Sequence, residues 1–236
     1  MPYFKYSAML EERSEEVEIM DDLEISGEVV FQTLRELNTI NKYLGGNRIS
    51  VSAFQKIAQN KEAIVLADLG CGGGDIMMEM AKWCKKKGIN GSFLGVDANP
   101  HIVQFARKNT SEFPEIRFKA VNIFGDELKK EKPDLIHCCL FTHHFSGDEL
   151  VQLFRQFKDQ ARIGVIINDL QRHPIAYWSI KILTRLFSKS TMVRNDAAVS
   201  VARGFKKNEL VQILHQARIT EYKLSWHWAF RWKLIF

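Results

Sequence analysis

Asp68-Leu69-Gly70-Cys71-Gly72-Gly73-Gly74 is the stretch of this chain whose residue types and spacing say most about chemistry. An acid followed by glycines at alternate positions, D-x-G-x-G-x-G, suits a ligand held by main chain. Glycine lets the backbone approach where a side chain would collide, and a glycine turn that opens a helix leaves N–H groups uncovered. A second acid, Asp97, closes the next apolar run, Ser92 to Val96. A carboxylate at that point is placed for the two hydroxyls of a ribose. The spacing argues against a dinucleotide fingerprint, because G-x-G-x-x-G would need a glycine where Asp75 stands. Further along, Asn122, His143-His144 and Asp169 fall just after apolar runs of their own.

These residues need elements to hold them. The run Ile64-Val65-Leu66, rich in aliphatics and closed by Asp68, reads as a buried strand. Ile76 to Lys87 is apolar on one face (Ile76, Met77, Met80, Ala81, Cys84) and ends in lysines that favour the negative end of a helix dipole. Strand two ends at Asp97, and a helix follows over Pro100 to Asn109. Glu115 to Ala120 is strand three, Leu135 to Leu140 strand four, and Arg162 to Asn168 strand five, with an amphipathic helix at Glu149 to Gln160. Lys206 to Ala217 gives a last helix, and the aromatic tail Tyr222 to Phe236 a final strand pair. Ligands of such sheets bind at the carboxyl ends of the strands. The glycine turn, Asp97, Asn122, His143 and Asp169 all fall at that one expected edge.

With 236 residues, 46% hydrophobic and 26% charged, the chain can bury a full α/β core. No apolar run approaches the ~20 residues that span a bilayer, and the first ten residues lack a signal-peptide pattern. Cys71, Cys84, Cys138 and Cys139 form no zinc-type pair, which points to a reducing, cytoplasmic compartment. A net charge of +5 does not by itself imply nucleic acid. Before the glycine turn, Glu11 to Asp22 is an acidic run expected to be a solvated helix or mobile arm. Glu28 to Leu44 has helical apolar spacing stopped by Gly45-Gly46, and Val51 to Ala58 is a second short helix. Pro174 to Phe187 carries a stripe of Ile175, Trp178, Ile182, Leu183 and Leu186, with Lys181, Arg185 and Lys189 on another face. It reads as a helix packed on the sheet, as a lid over an apolar substrate, or as a basic amphipathic surface against a membrane. A polar stretch then runs to Arg203.

The D-x-G-x-G-x-G turn followed by Asp97 resembles the first two motifs of class I S-adenosylmethionine-dependent methyltransferases. The likeness implies a Rossmann-like, doubly wound, mostly parallel seven-stranded sheet with an antiparallel strand near the C-terminus, plus N-terminal helices and a lid helix. It divides the chain into an N-terminal helical cap, 1–60, and the methyltransferase domain, 61–236, with 170–205 as a lid insertion. The cofactor is then S-adenosylmethionine, leaving as S-adenosylhomocysteine. The resemblance assigns its binding to Asp68, Gly70, Cys71, Gly72, Gly74, Asp97, Ala98, Asn122, Ile123 and Cys139. Asn122 stands where the family often has Asp; an amide can still pair with the adenine edge, and it is equally a turn-former. Arg48 either meets the methionine carboxylate or is solvated.

The long connection after strand five makes the chain similar to small-molecule methyltransferases of quinone- and polyketide-biosynthesis type. That likeness implies methyl transfer to O or C of a small aromatic or lipophilic metabolite, with His143 as general base oriented by Asp169. His144 is then a packing residue, and His137, inside strand four, a core histidine. No metal-ligand cluster is evident, so no metal is expected. Methylation of RNA or protein is the second reading. It lacks the [DN]-P-P-[FY] and Pro-Cys motifs of the nucleic-acid types, because Cys138-Cys139-Leu140-Phe141 stands there instead. A cofactor-binding partner subunit without turnover is the third. Neither the acceptor nor the oligomeric state is legible.

Overall fold

Apolar side chains alternate between the two faces of the inner strands, so the sheet has to be covered on both sides. The computed structural model describes residues 10–236; the signal-peptide expectation for the first ten residues therefore lies almost wholly outside the described part. In chain order the elements are α1 (Glu28–Tyr43), α2 (Gly46–Ala58), β1 (Ala63–Leu69), α3 (Asp75–Lys87), β2 (Asn90–Asp97), α4 (Pro100–Asn109), β3 (Ile116–Ala120), the single turn α5 (Asp126–Lys129), β4 (Leu135–Cys139), α6 (Gly147–Gln160), β5 (Gly164–Leu170), α7 (Pro174–Phe187), α8 (Thr191–Arg203), α9 (Lys207–Gln216), β6 (Lys223–His227) and β7 (Arg231–Ile235). Short 3-10 turns stand at Ile19–Asp21 and Thr142–His144.

On one face Ala67, Leu69, Ile136, Cys138, Val165 and Ile167 meet Leu150, Leu153, Phe154 and Phe157 of α6 and Leu210, Ile213 and Leu214 of α9. On the other, Ile64, Leu66, Leu135 and Ile166 meet Phe54 of α2, Met77 and Met80 of α3, and Val103 and Ala106 of α4. Burying one such side chain is worth roughly 1.5–3 kcal/mol, so these two layers fix the strand register.

The strand order is β3-β2-β1-β4-β5-β7-β6, with β1 to β5 parallel and β7 antiparallel to both its neighbours. This is the seven-stranded, mostly parallel sheet expected. The order reverses between β1 and β4, and the crevice for a ligand opens at that point. Leu69 pairs with Cys138 and Cys139 with Asn168, which brings the carboxyl ends of β1, β4 and β5 level.

Three local expectations are corrected. The polar stretch before Arg203 contains α8, a helix buried on nearly all sides through Met192, Val193, Asp196, Ala197, Ala198, Val199, Val201 and Ala202. The acidic run is not a solvated arm. Asp196 of α8 accepts the N–H groups of Ile19 and Met20 at 2.9 and 3.0 Å, and Ser14 N–H donates to Ala202 O at 3.1 Å. Arg172, buried, donates to the carbonyls of Leu10 and Glu11, both at 3.0 Å. The second N-terminal helix begins at Gly46, earlier than expected, because Gly45 takes a left-handed conformation (φ 76°) that ends α1 and starts α2 at once. Among the described residues no helix is long and apolar enough to cross a membrane.

Candidate active site

At the end of β1 the chain crosses towards β2: Gly70 and Cys71 both donate to Val96 O, at 2.8 and 3.1 Å. Gly70 sits at φ 69°, and a Cβ there would lie 2.2 Å from the Phe141 ring. Only glycine fits, and Phe141, just past β4, closes over it. Above this turn lies a cavity of about 560 Å³, within the size class of small-ligand sites. Asp68, Gly70, Cys71, Gly72, Asp97, Ala98 and Cys139 all line it.

Asp97 Oδ1 accepts Asn99 N–H at 3.0 Å. Burial pushes its carboxyl up to about 6, against the N–H groups of Asn99 and Gly72 and the nearby His144. A main-chain turn with no room for a Cβ and a carboxylate facing the cavity fit a ribosyl cofactor.

Other expected cofactor residues lie elsewhere. Gly74 is outside the cavity lining and packs against Thr110 and Phe118 as the N-cap of α3. Asn122 is exposed and turns its Oδ1 to its own turn, accepting Phe124 N–H at 2.9 Å, while Ile123 is buried in the core. Arg48 points to solvent; its neighbour Asn47 lines the cavity instead. The lid expectation for α7 is corrected as well. No α7 residue lines the cavity, and the wall is α8, through Asp196, Ala197, Ser200 and Arg203.

The chain leaves β4 through Leu140, held at φ 52°, a conformation rare outside glycine and typical of functional sites. The Thr142–His144 turn that follows is pinned by Asp169 at the end of β5. Asp169 Oδ2 accepts Thr142 Oγ1–H at 2.6 Å and His143 N–H at 3.1 Å, and Oδ1 lies 2.6 Å from His143 Nδ1. His143 and Asp169 thus meet. Burial opposes charge on both, but each outweighs it for the other: Asp169 is held well below the usual carboxylate range, and His143, with Glu18 adding to Asp169, is raised to about 9.

Two arginines clamp the same turn from behind. Arg13 Nη2 donates to His143 O and Phe145 O, both at 2.9 Å; Arg203 donates to His143 O at 3.2 Å and His144 O at 2.5 Å. Glu18 and Asp21 complete the cluster, and both line the cavity. Glu18, only 6% exposed, places Oε1 3.2 Å from His143 Nε2. Asp21 Oδ1 lies 2.7 Å from His144 Nδ1, so His144 is more than packing. Glu18 and Asp21 escaped sequence reasoning. The one signal for Glu18 was a lone valine before it and Ile19-Met20 after it, inside an otherwise acidic run.

His137 is fully buried, with Nδ1 2.6 Å from Asp68 Oδ1 and Nε2 2.8 Å from Ser50 Oγ. This has the connectivity of a hydrolytic triad but no access, since Ser50 is 0% exposed and also accepts Asn168 Nδ2–H at 3.0 Å. It ties α2 to β1, β4 and β5 and orients Asp68. Burial pushes the Cys139 thiol up to about 11 and Cys71 and Cys138 well above their ordinary value, so the thiols stay neutral.

A family model described as Methyltransferase domain matches residues 60–218. No curated protein sequence matches the chain. Among solved structures, the plantazolicin methyltransferase BpumL in complex with a triazolic desmethyl-plantazolicin analogue and S-adenosylhomocysteine superposes with TM-score 0.67 at 13% identity, covering 88% of each chain. Magnesium protoporphyrin IX methyltransferase from Synechocystis PCC 6803, with bound S-adenosylhomocysteine, gives TM-score 0.52 at 14% identity over 99% of this chain and 92% of the other. A putative O-methyltransferase from Nostoc punctiforme PCC 73102 gives TM-score 0.60 at 14% identity, over 98% of this chain and 66% of the other. At such identities the likeness is one of fold. Since the family model spans most of the chain, including the glycine turn, β2 and the β4 and β5 ends that build the cavity, the chain belongs to the methyltransferase-domain family, as an S-adenosylmethionine-dependent enzyme of the class I fold.

Proposed function

We propose that this enzyme methylates an oxygen or carbon of a small, lipophilic or aromatic acceptor bound between the glycine turn and the His143–His144 turn. The observation that carries the proposal is that Asp97 and His143 open onto one cavity whose remaining wall is largely apolar, with Met20, Leu34, Leu37, Ile102 and Phe145. S-adenosylmethionine supplies a methyl already activated on a sulfonium. The protein's part is to hold donor and acceptor in line and to handle a proton.

Asp97 takes the ribose hydroxyls, the Gly70–Gly72 main chain accepts close approach, and Ala98 and Cys139 border the site. His143, fixed by Asp169, turns Nε2 to the acceptor; with its pKa raised to about 9 it takes the acceptor's proton only in the fraction of enzyme that holds the ring neutral, so turnover should rise with pH towards 9. Residues 10–60 act as a cap, since α1 and the Ile19–Asp21 turn wall the cavity opposite the sheet. The acceptors named for BpumL and for the protoporphyrin enzyme support a small-molecule acceptor over a nucleic acid.

A lipophilic acceptor also fits α7. Of its residues only Ala176 and Thr184 are buried, while Ile182, Leu186 and Phe187 are 58%, 68% and 79% exposed beside Lys181 and Arg185. That combination suits peripheral contact with an anionic bilayer, from the cytoplasmic side, where four free cysteines are at home.

The test is calorimetry with S-adenosylmethionine, S-adenosylhomocysteine and NAD, followed by transfer of labelled methyl to phenols, enols and extracted metabolites. Donor binding with a labelled small product is expected. NAD binding without donor binding would refute the cofactor assignment. Donor binding with no labelled product from any extract would favour a non-catalytic partner subunit, and label in RNA or protein would replace the acceptor class.

A further inference from the structure

Three side-chain atoms on the cavity wall face one another without hydrogen-bonding. Glu18 Oε1, His143 Nε2 and His144 Nδ1 lie within 4.8 Å of each other, and none makes a well-directed hydrogen bond among the described residues, although His144 Nδ1 faces Asp21 Oδ1 at 2.7 Å. Glu18 Oε1 stands 3.2 Å from His143 Nε2 and 4.0 Å from His144 Nδ1. The first of these is close enough for a hydrogen bond and lacks the direction of one. A buried polar atom left unpaired costs about 1–3 kcal/mol, so Glu18 Oε1 and His143 Nε2, converging beside His144, call for a common partner.

Their chemistry names that partner. Two imidazole nitrogens and a carboxylate oxygen are the donor set of borderline divalent metal ions. The ring that matters most is already set for the task. Asp169 Oδ1, 2.6 Å from His143 Nδ1, holds the proton on that nitrogen, so an ion would bind at Nε2 by displacing the ring's other proton, the carboxylate–histidine–metal arrangement. The Arg13 and Arg203 clamps on the carbonyls of the turn fix both histidines in advance. Asp21 Oδ1, 2.7 Å from His144 Nδ1, brings a further oxygen within reach, its other oxygen being held by Arg203 Nη1 at 3.0 Å. Bonds of ~2.0–2.1 Å need ligand atoms ~3.3 Å apart. Glu18 and His143 are already there, while His144 Nδ1, 4.0 Å from Glu18 Oε1 and within 4.8 Å of His143 Nε2, has to swing inward by roughly 1 Å, which its less buried ring allows.

We propose that Glu18, His143 and His144 bind one divalent transition-metal ion of the zinc class, with Asp21 beside it and the open coordination side facing the cavity. The ion takes a hydroxyl oxygen of the acceptor. The hydroxyl proton leaves to solvent, and the oxygen lone pair forms the new O–CH3 bond while the S–CH3 pair stays on sulfur. This deepens the methyl-transfer reading and rests on it for the acceptor; His143 then activates the acceptor through the ion rather than as a free base. The site was invisible in sequence because its carboxylate comes from a run read as solvated.

The experiment is titration of chelator-treated full-length protein with Co²⁺, followed by visible absorption, with S-adenosylhomocysteine binding measured on the same samples. One equivalent of cobalt with the d–d bands of a four- or five-coordinate site is expected. Glu18→Gln and His144→Asn should each weaken it by more than the ~10–100-fold typical of losing a group behind a ligand. Circular dichroism of both variants is to check that they fold, and His143→Ala is avoided because it would strand Asp169. Wild-type protein that takes up no cobalt, or variants that bind it as tightly as wild type, overturn the proposal. Cobalt silence with intact S-adenosylhomocysteine binding removes the metal and leaves His143 as a base. Cobalt binding without S-adenosylhomocysteine binding removes the methyl-transfer reading instead.

Discussion

His143 and Asp169 are locked through Nδ1 and Oδ1 at 2.6 Å, both at 1% exposure, with the Asp169 carboxylate also holding Thr142 and the His143 backbone N–H. Such a pair gives direction more than stability, since desolvation offsets most of the attraction. Removing one partner is different, because the other is left buried and uncompensated. Asp169→Asn should therefore cost about 3–5 kcal/mol in urea unfolding. A loss below ~1 kcal/mol, the scale of an ordinary hydrogen bond, would show that the turn is held mainly by Arg13 and Arg203.

Asp97 sets a pH dependence. Burial raises its carboxyl to about 6 in the free protein, with the N–H groups of Asn99, Gly72 and Ala98 and the His144 ring working the other way. In the free fold a raised acid stabilises the protonated form. Its effect on stability is therefore an increase as pH drops from about 6 towards the ordinary carboxylate value, and none above 6. Donor binding runs oppositely, since ribose hydroxyls donate to the ionised form. Affinity for S-adenosylhomocysteine should be flat above pH ~7 and fall by up to tenfold for each unit below 6. Asp97→Ala should weaken binding by ~1.5–3 kcal/mol and flatten that profile. A calorimetric series showing the same pH slope in wild type and variant would place the ribose contact elsewhere.

The buried Asp68–His137–Ser50 chain makes a stability prediction. Ser50→Ala deletes the partner of His137 Nε2 at 2.8 Å and of Asn168 Nδ2 at 3.0 Å, with no water access to replace it. The expected loss is ~1–3 kcal/mol, read as a lower urea midpoint at unchanged slope. Equal stability would mean that the side chains re-pair, with Asn168 still donating to Gly46 O.

These residues also show where sequence reasoning reaches and where it stops. The sheet was legible because Leu66, Leu135 and Ile166 on one face and Ala67, Ile136 and Ile167 on the other obey a two-residue period that needs no tertiary information. The glycine turn and Asp97 were legible because their spacing is local. α8 was not: Met192, Val193, Ala197, Ala198, Val199 and Val201 surround the helix, so no apolar stripe marks it, and small or β-branched residues give weak helical signals. The same holds for Glu18. A glutamate in an acidic run becomes a buried ligand only because His143, Ser200 and α8 are folded against it, and that proximity leaves no periodic trace. Asn122 illustrates the converse. Its position matched the family pattern, but the side chain satisfies its own turn.

The exposed face of α7 should separate membrane contact from folding. Ile182→Glu with Leu186→Glu changes two residues that are more than half exposed and do not line the cavity. Stability should stay within ~0.5 kcal/mol and donor affinity should not change. Binding to vesicles of anionic phospholipid, measured by co-sedimentation, should be lost, and wild-type binding should weaken as salt screens Lys181 and Arg185. Vesicle binding equal in wild type and variant, or absent in wild type, would make α7 a surface helix with no lipid role.

Asp196 governs whether the N-terminal segment stays on the site. Its two oxygens accept Ile19 and Met20 N–H, so the backbone of the turn that carries Glu18 and Asp21 is fastened to α8 by Asp196, with Arg203 of the same helix donating to Glu16 O at 3.1 Å and Asp21 Oδ2 at 3.0 Å. Alanine at 196 strands two backbone donors near the cavity. Because residues 10–22 lie on the surface of the sheet domain rather than in its two main layers, the effect should be local opening and not global unfolding. Glu11, Glu12, Glu15 and Glu16 offer natural cleavage points for a glutamate-specific protease. Asp196→Ala should be cut there several-fold faster than wild type, with the urea midpoint of the remaining domain little changed. Asp196→Asn, which keeps an oxygen acceptor, should fall between the two. Bound S-adenosylhomocysteine should slow the cut in wild type if the segment closes over the donor. Identical cleavage in wild type and Asp196→Ala would mean that Arg13, Arg172 and Arg203 hold the segment alone, and Asp196 would lose its role as the latch.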